Sequence, residues 1–253
     1  VQLRTDLIEP DLIVDIKNIG DVRTITSEAG GYRIGAAVTG AELEEHPTLR
    51  QDWPGIVEGA NLIGSTQIQG RATMGGNLCN GSPAADSVPG LIAAEAIATI
   101  AGPNGTRNLP VEDVIVGPRK LALARDEFVV SFLIPPRKPH SADAYLRFIP
   151  RTEMDIAVVG AGVNIETDGQ GKISAARVSL GAVAPTPLLV RDAGSAIVGT
   201  TLDTNALEAL DAAAQAACRP IDDKRGTVEY RTKVSGVIAR RAAQTAYDRA
   251  RKK

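Results

Sequence analysis

Short apolar runs broken by Gly and Pro fill the first part of the chain, and helix-spaced apolar positions dominate its end. Asp11 to Ile19 (DLIVDIKNI) reads as a short buried strand and its exit. Tyr32 to Val38 (YRIGAAV) reads as a second strand after a Gly30-Gly31 turn. Thr39 stands three residues before Glu42, the capping-box spacing that starts a helix. Gln51 to Leu62 has apolar residues at helical spacing, and Gly64 stops it. Ser65 to Asp86 is rich in Gly, Asn, Ser and Thr without periodicity, which predicts a long irregular segment of the kind kept for function. A helix follows, capped by Asp86 or Ser87, with Pro89 in its first turn. Ala96–Ala101 and Thr106–Leu109 flank a Gly-Pro-Asn-Gly turn and predict a hairpin. Phe128–Ile134 (FVVSFLI) is a strand ended by Pro135-Pro136. The polar stretch 137–142 predicts a linker between a domain over 1–136 and another over 143–253. The second holds strands near Ile156–Ile165 and Ile173–Leu180 with a turn at Asp168-Gly169, and helices over Ala206–Cys218 and Tyr230–Arg251. The last helix is amphipathic with a basic outer face. The fold class expected is α+β.

Composition narrows the chemistry. The chain has 253 residues, 43% hydrophobic and 23% charged, enough for a sizeable core. Only 3% is aromatic, so Ala, Val, Ile and Leu must build that core. A formal net charge of -2 gives no nucleic-acid footprint, and no apolar run approaches a membrane span. No export signal is visible, and the expected compartment is the cytoplasm. The start at Val1 rather than Met is read as that of a fragment. The two cysteines, Cys79 and Cys218, cannot hold an iron–sulfur cluster alone, and His46 and His140 stand apart from them and from each other. Cys218 is expected in the core, Cys79 in a packing role, His46 at a helix C-terminus and His140 in solvent. The basic face of Arg240, Arg241, Arg249, Arg251, Lys252 and Lys253 is expected to be solvated.

The candidate chemistry lies in Arg71-Ala72-Thr73-Met74-Gly75-Gly76-Asn77. Adjacent glycines permit positive φ and close approach of backbone to a ligand, and successive N–H groups can cradle an anion. Thr73 and Asn77 add side-chain hydrogen bonds. Asp86 would repel a phosphate and is better suited to accept from a ribose hydroxyl, a base or a backbone amide. Two adjacent glycines alone, however, most often make a tight turn, and neither a P-loop nor G-x-G-x-x-G is present.

The whole segment Ile63 to Asp86 (IGSTQIQGRATMGGNLCNGSPAAD) resembles the FAD loop of the medium subunits of molybdenum hydroxylases, the family of carbon monoxide and bacterial xanthine dehydrogenases. The shared pattern is Q-I-x-x-x-A-T-x-G-G-N-x-x-x-x-S-P-x-x-D. Val129–Pro135, Arg151 with Met154–Val159, Gly181–Pro187, and Tyr230-Arg231 with Val237–Arg241 resemble later signatures of the same family, so the likeness covers about residues 1–247. It implies a vanillyl-alcohol-oxidase-type (PCMH-type) FAD-binding domain followed by an α+β C-terminal domain of the CO-dehydrogenase-flavoprotein type. By position it places Thr73, Met74, Gly75, Gly76 and Asn77 at the diphosphate and Cys79 beside the nucleotide. Asp86 becomes a polar FAD contact, and Val129 packs near a ring of the cofactor. Arg147 falls where relatives carry a lysine near the flavin, a cation able to favour the anionic reduced form. An earlier A-G-G-x-[ST]-x-L motif of the family precedes the segment matching Val1–Ile16 and is not in this sequence, which implies weak FAD retention without it.

The resemblance further implies non-covalent FAD in an oxidoreductase subunit. The molybdenum cofactor would lie on a large partner and two [2Fe–2S] clusters on a small one. Electrons would pass to NAD, oxygen or a quinone. The alternatives are a self-sufficient FAD oxidase or dehydrogenase of the same fold, or a flavin-free scaffold subunit. The substrate would bind on the partner and is not encoded here.

Overall fold

In the computed structural model, residues 9–253 are described. The first strand expectation fails. Residues Asp11–Asp15 make no strand, a short 3-10 turn covers Ile16–Asn18, and Leu12, Ile13 and Val14 are 77%, 68% and 68% exposed. The apolar run was the signal, but among the described residues no strand pairs with it.

Strands β1 (Ile25–Glu28), β2 (Gly31–Gly35), β3 (Ile97–Gly102), β4 (Gly105–Pro110) and β7 (Phe128–Ile134) form an antiparallel sheet in the order β1-β2-β7-β3-β4. The short pair β5 (Ile115–Gly117) and β6 (Lys120–Leu121) stands apart. β2 ends before the expected Val38, because Ala36 and Ala37 turn to bond Val130 and Val22. The hairpin of β3 and β4 turns at Pro103-Asn104, with Gly102 opposite Gly105, as the turn residues predict.

The helices between the strands are short: α1 (Gly40–Glu45), α2 (Leu49–Asp52), α3 (Pro54–Asn61), α4 (Thr66–Gln69), α5 (Met74–Cys79) and α6 (Ser87–Ala93). The capping box at Thr39 and Glu42 is present. The single helix expected over Gln51–Leu62 is split at Trp53, since the residue before a proline is pushed out of the helical region and Pro54 opens the next helix. The stretch read as irregular carries two helices, α4 and α5. Both are too short to show a periodicity, and α5 also carries Gly75 and Gly76.

The second sheet runs β11-β10-β9-β8, with β8 (Ser141–Phe148), β9 (Val159–Thr167), β10 (Ile173–Gly181) and β11 (Leu188–Leu189). Its helices are α7 (Arg191–Ser195), α8 (Thr204–Ala217) and α9 (Val228–Ala250). Alternation along β9 serves two layers. Val159, Ala161, Val163 and Ile165 join the core with Ala239, Ala242, Ala243 and Ala246 of α9. Gly160 and Gly162 point the other way, against Tyr145 of β8 and the backbone at Pro89 of α6. Small residues on both faces let helices approach closely, which is how a core so poor in aromatics closes.

The stretch read as a linker is firmly held. Ser141 and Ala142 already belong to β8, and the Arg137 guanidinium is buried 3.4 Å over the Trp53 ring. It donates to the Asp52 carbonyl at 2.6 Å and to Asn164 Oδ1 at 2.7 Å, and pairs with Asp143. The basic face of α9 is likewise partly engaged. Arg249 pairs with Glu58 and donates to the Asp143 carbonyl at 2.9 Å, Arg240 pairs with Asp211, and Lys253 reaches the Gln51 carbonyl.

Candidate functional site

Thr73, in extended conformation, caps α5, and its Oγ1 accepts from Gly76 N at 2.9 Å. Gly40 N donates to the Ala72 carbonyl at 2.9 Å, joining the start of α1 to this cap. Neither Gly75 nor Gly76 has positive φ, so the left-handed turn expected from the pair is absent; both lie in the first helical turn. They are glycines for different reasons. Gly75 is buried, its N–H donates to the Ala36 carbonyl at 3.2 Å, and a Cβ there would overlap that oxygen. Gly76 is exposed, and a Cβ there would meet only Thr73 Oγ1, at 3.1 Å. Packing within the chain thus dictates Gly75, whereas at Gly76 only the Thr73 capping hydroxyl stands in the way of a side chain, in a helix where glycine costs about 1 kcal/mol against alanine. An FAD diphosphate or ribityl chain lying against backbone fits this bare face.

The other expected site residues fall into two sets. Gly76 and Cys79 are exposed and Thr73 is half-buried; Cys79, expected in a packing role, keeps an exposed surface while its thiol meets the Val129 backbone. Met74 and Val129 are buried and form the floor between α5 and β7. Asn77 is turned inward, where its Oδ1 accepts from Ser87 N at 3.0 Å and Ser87 Oγ at 2.8 Å. It therefore caps α6, and Asp86, although at the N-cap position, makes no capping bond. Asp86 instead accepts from the Tyr145 hydroxyl at 3.1 Å and from Arg147 Nη1 at 2.8 Å. Arg147 Nη1 also donates to the Leu62 carbonyl at 2.8 Å. The Asp86–Arg147 pair is buried, with side chains 10% and 5% exposed. Burial pushes the Asp86 carboxyl up to about 6, while the Arg147 charge and the two hydrogen bonds pull against it. Tyr145 is the residue that sequence reasoning missed. It stands two places before Arg147 on β8 and so shares its face, a signal hidden because no strand was read there.

Two family models match consecutive spans: the FAD binding domain in molybdopterin dehydrogenase over residues 1–137, and the CO dehydrogenase flavoprotein C-terminal domain over 144–246. The carbon monoxide dehydrogenase medium chain of Afipia carboxidovorans is 35% identical over 98% of this chain and 86% of its own. The chain belongs to the FAD-binding medium subunits of the molybdenum hydroxylases. The putative xanthine dehydrogenase FAD-binding subunit of Escherichia coli strain K12 is 34% identical over 87% of this chain and 75% of its own length. A crystal structure of Cu,Mo-CO dehydrogenase in a cyanide-inactivated form superposes with a TM-score of 0.94, at 35% identity, over 98% of this chain and 86% of that one. This medium subunit is accordingly an FAD-binding part of an oxidoreductase, with an FAD-binding domain followed by a CO-dehydrogenase-flavoprotein C-terminal domain. Among the described residues no helix is long and apolar enough to cross a membrane.

Proposed function

We propose that this medium subunit holds FAD non-covalently and passes electrons between a molybdenum hydroxylase's other subunits and an external acceptor. In this reading the large partner carries the molybdenum cofactor, the small partner carries [2Fe–2S] clusters, and the acceptor is NAD, oxygen or a quinone. The observation that supports it is Gly76, an exposed helix glycine whose one close neighbour is the Thr73 capping hydroxyl, in a segment matching the family's FAD loop. The flavin, when bound, supplies the redox chemistry, and the polypeptide supplies position and electrostatics. Thr73 and Gly76 present hydroxyl and bare backbone to the diphosphate region, and Cys79 borders the nucleotide. Met74, Gly75 and Val129 keep α5 seated on β7 and the end of β2. Asn77 fixes α6 relative to α5. Asp86 and Arg147 act as a pair, which keeps a buried cation close to the site without leaving it unpaired.

The test is co-purification of the chain with its neighbours from the native source, assayed for flavin, iron and molybdenum. All three are expected in one complex. A stable solitary chain free of all three would sink the proposal. The self-sufficient oxidase reading needs a catalytic base beside the flavin. The charged groups that meet α6 are already engaged: Asp86 and Arg147 are tied to each other, and Arg177 donates to the Ile92 carbonyl and pairs with Glu112.

A further inference from the structure

The contact of α3 and α6 with the C-terminal sheet runs along β8, β9 and β10, and at β8 and β9 glycines and hydrogen bonds bring backbones together. Gly55 of α3 lies against Asp143 and Ala144, where a Cβ would come within 2.5 Å of Asp143 Oδ2. Gly59 of α3 lies under the Asp86 carbonyl, 2.8 Å from where its Cβ would stand, and Gly90 of α6 lies 2.9 Å from the Gly55 carbonyl on the same basis. Gly160 is bare because the Tyr145 hydroxyl occupies the space of a side chain. Tyr145 is itself held at both ends. Its N–H donates to Glu58 Oε2 at 2.8 Å, and its hydroxyl donates to Asp86 Oδ1 at 3.1 Å.

We infer that Tyr145 is a positioning residue for FAD: its hydroxyl, beside the Arg147 guanidinium, fixes the Asp86 carboxylate, so that the C-terminal sheet sets where the end of the Gly64–Asp86 segment presents itself. The inference rests on the FAD reading above. Three features make the tyrosine specific. The hydroxyl is buried with Asp86 as its partner, and a buried donor without an acceptor is costly. Gly160 leaves room for this hydroxyl alone. Burial and the Asp86 charge raise the phenol well above its ordinary value, so it remains a donor throughout the accessible range. Asp86 in turn precedes Ser87, which Asn77 of α5 grips, so displacement of Asp86 is felt at the helix that carries Gly76.

The charged and titratable groups around Asp86 give the inference a pH signature. From β8 come Tyr145 and Arg147. From α3 comes Glu58, turned to the Tyr145 N–H and to Arg249 of α9. Asn77, from α5, is neutral. The Asp86 carboxylate is held ionised by Tyr145 and Arg147 against its burial, so loss of either donor favours its protonation.

The experiment is FAD titration of the full chain, by quenching of flavin fluorescence between pH 5 and 8, for the wild type, Tyr145→Phe and Gly76→Ala. Thermal melts of the FAD-free proteins are recorded alongside. Tyr145→Phe keeps the ring and loses one hydrogen bond to a charged group, so its FAD affinity is expected to fall about tenfold at pH 7. The pH at which half the affinity is lost is expected to move upward from that of the wild type. A hydroxyl that serves only the stability of the fold would lower the melting temperature of Tyr145→Phe and leave this pH midpoint in place, which would overturn the inference. Gly76→Ala separates the two readings. If it weakens FAD while Tyr145→Phe matches the wild type in affinity and midpoint, the FAD site stands and the role of Tyr145 falls. If the wild type binds no FAD, both fall.

Discussion

Two buried aspartates, Asp86 and Asp143, carry much of the electrostatic character of this molecule. Burial raises each from an ordinary 3.8 to about 6, in spite of Arg147 beside the first and Arg137 beside the second. Asp143 Oδ2 has no hydrogen-bond partner, in keeping with a carboxyl that gains from holding a proton. Because the folded values lie above the unfolded ones, the folded chain binds more protons between about pH 4 and about pH 6. Their contribution to stability is therefore full below the unfolded value and falls as pH rises through about 6. Glu127 works in the opposite sense. Arg107 and the Ala124 N–H hold it down to about 2, so its contribution is present above its ordinary 4.5 and is lost as pH falls towards 2. The FAD-free chain should accordingly be more stable near pH 5 than near pH 7.5, as read from urea midpoints. Asp143→Asn should flatten that slope. An undiminished slope in the variant would remove Asp143 from the account.

At the scale of elements, the same glycine pair was legible as important and misread in its mechanics. Gly75-Gly76 pointed to backbone approaching a ligand and to positive φ; Gly75 instead lies against the chain's own Ala36, and neither residue adopts positive φ. The capping box at Thr39, the hairpin at Pro103-Asn104 and the strand Phe128–Ile134 were readable because each rests on local chemistry within a few residues. The strand expected at Asp11–Ile19 failed because an apolar run specifies burial only when a partner is supplied, and pairing is not a local property. Strand β8 escaped notice because Arg137, Asp143 and Arg147 made its surroundings look solvated. They are buried through ion pairs, Arg137 with Asp143 and Arg147 with Asp86, the last far away in sequence. The two glycines give a paired prediction in the FAD-free protein. Gly75→Ala drives a methyl into the Ala36 carbonyl and should cost about 1–3 kcal/mol, the usual range for overpacking. Gly76→Ala gains helix propensity while nudging Thr73 Oγ1, and its stability should stay within about 1 kcal/mol of the wild type. Denaturant unfolding of both variants measures this. Equal losses would mean that Gly76 also has a packing role, and the case for a ligand against it would weaken.

For the whole molecule, the arrangement means that the two matched spans act as one mechanical unit at β8. Asp86 and Pro89 of α6 touch the second sheet, which answers with Tyr145, Arg147 and Gly162. Polar seams of this kind often let domains move, because little apolar area is lost on opening. Here two things oppose that. The ion pairs of Arg137 and Arg147 are buried, so parting them would leave charges in a poorly solvated gap as it opened. The glycines also bring backbones together more closely than side chains would permit, which maximises dispersion contacts across the seam. Both effects depend on near-contact geometry and vanish with a small displacement. Gly162 is the most sensitive position, since a Cβ there would overlap the Pro89 carbonyl of α6. Wild-type chain should thus melt in a single calorimetric transition. Gly162→Ala should lift α6 from β9 and either split that transition in two or lower it by several degrees, the shift expected for one to two kcal/mol in a chain of this size (about 2–4 °C per kcal/mol). The loss should extend to FAD affinity, although Gly162 belongs to the C-terminal sheet. A Gly162→Ala protein with an unchanged single transition and unchanged flavin binding would show that the seam is permissive, and that the site segment keeps its shape without the sheet behind it.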